Sequence, residues 1–194
     1  MTEAVELRVA QTWDGTAISV SEQVLWRLSR AADGLRIEVD APFHHDPPPP
    51  GQPGPCEGLW DYEVAELFIV GRSPAGWSAE SAVGVTGPAT EPEYTELELS
   101  PHGHYLLLRL RGVRQAFERR LEMPYRARIV GHRWHGEALL PSRWLPPAPH
   151  RVNAFAIHGS GRHRRYLAMT PVPGSAPDFH RLADFKPLVL PGLS

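Results

Sequence analysis

Cysteine is almost absent from this 194-residue chain. Cys56 stands alone, which excludes an internal disulfide framework and any cysteine-built zinc site and points to a cytoplasmic compartment. Long apolar runs are absent as well. No segment approaches the roughly 20 residues that cross a bilayer as a helix. The opening MTEAVELRVAQTWDG has no basic stretch followed by an apolar one, so a soluble protein with no cleaved leader and no membrane contact is expected. The third absence is an excess of charge of either sign. Against 22 acidic residues stand 20 basic ones, a formal net charge of −2, and such a balance has no field to hold nucleic acid or an anionic membrane.

Long helices are excluded by punctuation, since 21 prolines and 17 glycines interrupt any helical run. What the chain does contain is a series of short alternating segments. Val5 to Val9, Val24 to Leu28, Leu35 to Val39, Val64 to Val70, Tyr94 to Leu99, Tyr105 to Leu110, Ala127 to Val130, Glu137 to Leu140, Asn153 to His158 and Arg165 to Thr170 read as strands. Ten short strands imply an all-β, two-sheet antiparallel sandwich. One short helix is expected at Arg114 to Leu121, and a helical turn at Ser142 to Leu145 with Ser142 as its N-cap. A chain that is 42% hydrophobic at this length closes one core with little room for a second, so residues 1–194 are read as one domain. The Pro-rich DPPPPGQPGP at 46–55 is an extended loop within it, and 71–92 is a longer one.

The stretch LWDYEVAELFIV, Leu59 to Val70, reads as strand throughout yet spends three carboxylates, Asp61, Glu63 and Glu66. Alternation places Glu66 between Val64 and Phe68 on a face that looks buried, where an ionised carboxylate requires a cation or several donors. The same pattern recurs in YTELELS. Tyr94, Glu96 and Glu98 share one face there and Thr95, Leu97 and Leu99 the other, and Glu98 is read equally well as solvated. The basic counterpart is GRHRRY, in which Arg164 and Arg165 precede Tyr166. An arginine reaching Glu66 or Glu96 would form a guanidinium–carboxylate clamp. His158 ends the apolar AFAIHGS in a turn, which sets its ring at the rim of the sandwich. None of the histidine-containing words has a recognised ligand spacing, so no metal is assigned, and nothing in the sequence names a cofactor.

The succession TWDG, APFHHDPPPP, LWDYEVAELF, YTELELSPHGHYLLL, NAFAIHGS and RRYLAMTPVPGSAPDFHRLADFKPL resembles, over nearly the whole chain, a family of single-domain proteins of unknown function. More distantly, three features are similar to carbohydrate-binding module family 9, one of the DOMON-like β-sandwiches. They are the Trp-led acidic strand, the Tyr-x-Glu-x-Glu strand ending in a Pro-x-Gly turn, and the Pro-Asp-Phe-His segment. The resemblance implies two antiparallel sheets, with relatives that bind sugars or haem on a concave face or at its rim. Carried onto this chain it marks Trp60, Glu63 and Glu66, then Tyr94, Glu96 and Glu98, then Asp178, Phe179 and His180. Sugar-binding relatives clamp a ring between tryptophans, whereas beside the Thr-Pro turn this chain has Met169.

Two readings from different classes follow. In the preferred one the protein binds a small polar, carbohydrate-like ligand without chemistry, using Trp60, Glu63, Glu66, Tyr94, Glu96, His158, Arg164 and Arg165 around a shallow pocket. In the other it is a glycosidase-like hydrolase whose paired Glu residues serve as acid and base, a role that depends on carboxyl separation. A haem-binding DOMON-like domain would need an axial pair such as Met169 with a histidine.

Overall fold

The strands in chain order are β1 (Ala4–Val9), β2 (Gln11–Thr12), β3 (Val24–Ala31), β4 (Gly34–Pro42), β5 (Val64–Val70), β6 (Glu93–Leu99) and β7 (Tyr105–Arg111). They continue with β8 (Ala116–Glu118), β9 (Tyr125–Val130), β10 (Arg133–Pro141), β11 (His150–His158), β12 (Arg165–Ala168) and β13 (Lys186–Leu188). The computed structural model describes residues 3–72, 91–172 and 174–190. One sheet has the order β1-β3-β4-β10-β9 and the other β2-β12-β11-β5-β6-β7-β8, with β13 beside the first half of β11. Every strand pair is antiparallel. All ten strands expected from alternation are present, most of them matched or extended by a few residues where the ladder continues, while the one expected at Arg165 to Thr170 stops at Ala168. No helix among the described residues is long and apolar enough to cross a membrane.

Apolar residues of opposite parity sort onto opposite sides of the second sheet. Ala65, Leu67 and Ile69 of β5 point inward with Leu97, Leu99, Leu107, Ala154 and Leu167, and meet Trp26, Leu28, Ile37, Trp134 and Leu140 of the first sheet. This is the core between the sheets. The even residues Val64, Phe68 and Val70 point the other way, and with Tyr94, Leu108, Phe155 and Ile157 they form a second apolar layer on the sheet's outer face. That layer is covered by the segment that carries Phe179, Leu182 and Phe185. Phe179 stacks on Phe155 with ring centroids 3.9 Å apart. Buried at this level, each of these rings contributes roughly 1.5–3 kcal/mol to holding the segment down. Strand β5 therefore has no solvent side, and all seven of its residues are buried.

Several local expectations are corrected. Arg114 to Leu121 is not a helix. Arg114 lies in a tight turn with φ 60°, and Ala116–Glu118 pairs with β7 as an edge strand, because a three-residue apolar-polar alternation satisfies its backbone on the sheet more readily than a short polar helix could. Leu59 to Val70 is not one strand either. Leu59–Asp61 is a single 3-10 turn following Gly58 at φ 75°, and the strand starts at Val64. Ser142–Trp144 is likewise a 3-10 turn, with Pro141 in the capping position and Ser142 its first residue. The 46–55 loop runs without strand or helix apart from a bridge at Pro55. Most of the loop expected at 71–92 lies outside the described residues.

Candidate functional site

The outer face of the second sheet holds a cavity of about 400 Å³. Its floor follows from strand register. Glu66 of β5 stands directly opposite Glu98 of β6, and Glu96 opposite Phe68, so three carboxyls share one face of two neighbouring strands. Glu66, Glu96 and Phe68 line the cavity, with Glu98 beside them. The walls are Ile157, Tyr166 and Phe179, and Trp60 stands at the mouth, 40% exposed on the 3-10 turn before β5.

The carboxyls are almost wholly withdrawn from water, at 2% exposure for Glu66, 5% for Glu96 and 0% for Glu98. Burial, followed by the neighbouring Glu96, holds Glu66 well above the usual carboxylate range, and burial with both neighbours does the same to Glu98. Burial raises Glu96 to about 7, against a hydrogen bond from Glu98 and the attraction of Arg114 and Arg119. A neutral Glu98 can donate its proton to Glu96, which is why the single charge that the trio acquires near neutrality settles on Glu96. No donor from elsewhere in the described protein reaches Glu66 Oε1, Glu96 Oε2 or either oxygen of an ionised Glu98.

On the far side of Glu96 the Tyr94 hydroxyl accepts from the Arg114 backbone N–H at 3.0 Å and lies 2.8 Å from His180 Nδ1. His180 Nε2 lies 4.0 Å from Glu96 Oε2. That gap is too long for a hydrogen bond. Burial, then Arg114, lowers His180 to about 4, with Asp178 opposing, so the ring is neutral. The rim cations are already paired, Arg114 with Asp178 at 2.8 Å and Arg119 with Glu57 at 2.8 Å.

A second polar cluster lies through the sheet on the opposite side. The His44 and His158 rings stack 3.5 Å apart and 1° from parallel, while Arg165 bonds Glu22 at 2.8 Å. Glu63 accepts from the His44 N–H at 3.0 Å. Burial raises Glu63 to about 7 against these N–H bonds, and lowers His158 to about 4 with help from His44 and Arg165. The space beside it is lined mainly by apolar residues such as Val24, Trp134 and Leu167 and is far too small for a ligand. Among the described residues no group of three or more His, Cys, Asp or Glu is arranged to hold a metal ion.

No family model matches the sequence. Relatives do. The UPF0462 protein C4orf33 homolog of Danio rerio is 40% identical over 96% of this chain and 89% of its own, and UPF0462 protein C4orf33 of Homo sapiens is 38% identical over 94% of this chain and 86% of its own. The chain belongs to the UPF0462 family. A solved structure from Bacteroides uniformis, described as a "putative carbohydrate-binding protein", matches the UPF0462 chain with a TM-score of 0.63 at 12% identity, covering 96% of this chain and 85% of that one. At that identity the likeness shows a shared sandwich fold, and it does not single out carbohydrate-binding module family 9.

Set against the sequence expectations, the UPF0462 structure brings together Trp60, Glu66, Tyr94 and Glu96 and separates them from Glu63, His158 and Arg165. Parity is the reason. Odd residues of β5, even residues of β11 and odd residues of β12 point into the sandwich, and Arg165 is the register partner of His158. Arg164 makes no clamp with a carboxylate. It donates to the carbonyls of Asp61 at 3.0 Å and Gly159 at 2.9 Å, and to that of Trp60, so it fixes the turn that carries Trp60. Glu98, read as equally well solvated, is fully buried. Met169 packs against the core between the sheets, away from the cavity, and supplies no axial ligand there. Arg114, Arg119 and Tyr166 were missed as site residues, and Phe179 and His180 were marked only through the Pro-Asp-Phe-His motif.

Proposed function

We propose that this UPF0462 protein binds a small polar, carbohydrate-like ligand in the outer-face cavity and performs no chemistry on it. The observation that carries the reading is the pairing of aromatic walls with buried, partnerless carboxyl oxygens. Phe179, Tyr166 and the half-exposed Trp60 offer flat apolar surface to the C–H face of a ring, and Glu66 and Glu96 offer acceptors to its hydroxyls, which a saccharide needs together. The Bacteroides uniformis protein of like fold carries a carbohydrate-binding description, which supports the reading. A hydrolytic pair flanks the scissile bond from opposite sides, whereas here all three carboxyls lie on one floor, on adjacent strands. The test is titration calorimetry with a panel of neutral, acidic and amino monosaccharides and their short oligomers, repeated on Trp60→Ala and Glu66→Gln. Saturable binding by the native chain, lost in both variants while their melting curves stay cooperative, is the expected result. Binding that persists in both variants would remove this cavity as the site.

A further inference from the structure

The cavity floor holds more acceptor oxygen than the protein has donors for. Glu66 and Glu96, at 2% and 5% exposure, both face the cavity with an oxygen bonded to nothing, and Glu98 sits directly across from Glu66. Like groups placed opposite one another on neighbouring strands repel when ionised. The described cations around the site are engaged elsewhere. Arg114 and Arg119 are bonded to Asp178 and Glu57, and Arg164 to three carbonyls. His180 Nδ1 is hydrogen-bonded to the Tyr94 hydroxyl at 2.8 Å.

A ligand hydroxyl offers this floor one donor and no charge. An ammonium offers three donors and a full positive charge in the same volume, and the rings of Phe68, Tyr166 and Phe179 line the same cavity. We propose that the ligand is a hydroxylated amine, an amino sugar whose amino group is free, seated with its ammonium between Glu66 and Glu96. This rests on the carbohydrate-like reading above and names the class within it.

Ionisation follows from the groups that face the site. Glu66, Glu96, Glu98 and Tyr94 come from β5 and β6, Arg114 and Arg119 from the segment after β7, Arg164 and Tyr166 from β12 and the turn before it, Glu57 from the loop before β5, and Asp178 and His180 from the covering segment. With the rim ion pairs neutral overall and His180 uncharged, the trio sets the charge, and an arriving ammonium draws a proton off it. Affinity for the amine therefore rises with pH as Glu96 ionises around 7 and falls again where the ammonium itself loses its proton.

The experiment is calorimetry of the full chain with glucosamine, glucose and N-acetylglucosamine, in two buffers of different ionisation enthalpy. Glucosamine is expected to bind about tenfold more tightly than the other two, the advantage of a charged over a neutral hydrogen bond, with proton release that approaches one below pH 7 and shrinks above it. The preference should vanish in Glu96→Gln and Glu66→Gln, each checked for a cooperative melt. Equal affinity for glucose and glucosamine, or tighter binding of N-acetylglucosamine, overturns the amine while leaving carbohydrate binding intact. Failure of all three to bind while another sugar of the wider panel binds overturns the amine alone, and failure of the whole panel overturns both.

Discussion

Replacing Glu96 by Gln should make the protein more stable, and by an amount that depends on pH. The structure holds this carboxyl at 5% exposure and raises it from 4.5 to about 7. At about 1.4 kcal/mol for each pKa unit, that displacement amounts to about 3 kcal/mol. Because the folded value lies above the unfolded one, the contribution is fully present below pH 4.5 and is lost as pH rises through about 7. His158 and His180, lowered to about 4, act in the opposite sense, their contribution growing from about pH 4 to 6.5, where histidine titrates in the unfolded chain. The histidines are common to the native protein and the variant and cancel in the difference between them. Glu63, also raised to about 7, is common to both proteins and cancels in the difference. Glutamine keeps the shape, removes the charge and can donate to the bare oxygens of Glu98. Glu96→Gln should therefore match the native protein near pH 4.5 and exceed it by up to about 3 kcal/mol at pH 8, roughly 6–12 °C in Tm for a chain of this size. Urea and thermal melts from pH 4.5 to 8.5 measure it. A variant less stable than the native protein at pH 8, or a difference that does not change with pH, would refute the reasoning.

Glu66→Gln should not lower the melting temperature at pH 8, because burial raises this carboxyl as it does Glu96 and no arginine bonds Glu66 to be stranded by the amide. A loss of several kcal/mol would show a hidden ion pair. Phe179→Ala, which removes the ring stacked on Phe155, should cost about 3 kcal/mol and abolish ligand binding together, read by urea melts and calorimetry on the same sample. Cys56→Ser should fold and melt like the native chain, and the native thiol, raised by burial, should react slowly with a thiol reagent at pH 7. Rapid labelling or a misfolded variant would contradict that.

Most of the fold was legible because its signal is local. Alternation along β5 and β6 assigned Leu67 and Leu97 to one side and Glu66 and Glu96 to the other, and register between the strands then brought the acids together. The candidate site was legible only as far as alternation reaches. Alternation did not show that the even face of β5 is covered by residues 177–185, so Glu98 read as equally well solvated, and the walls contributed by Phe179 and Tyr166 did not appear. His158 and Arg165 were grouped with Glu66 and Glu96, from which the sheet separates them, for a related reason. Each adjoins an outward residue, Ile157 and Tyr166, and a one-residue step on a strand changes sides. Arg164 looked like a carboxylate partner from its charge, but the carbonyls of the Trp60 turn are nearer and lack donors of their own.

The roof of the cavity has a consequence for the order of synthesis. Its floor, on β5 and β6, is complete once residue 99 has been made, but Phe179 and His180 come from a segment translated after every strand from β1 to β12. A nascent chain can thus close the core between the sheets while the outer face of β5, with its acids and its phenylalanine, still lies open to water. Until residues 177–185 leave the ribosome, that face is a sticky apolar strip on a sandwich that otherwise lacks only its last short strand, β13. The same strip becomes a selective pocket when its cover arrives, so ligand binding by a ribosome-tethered chain marks the moment at which this surface ceases to be a hazard.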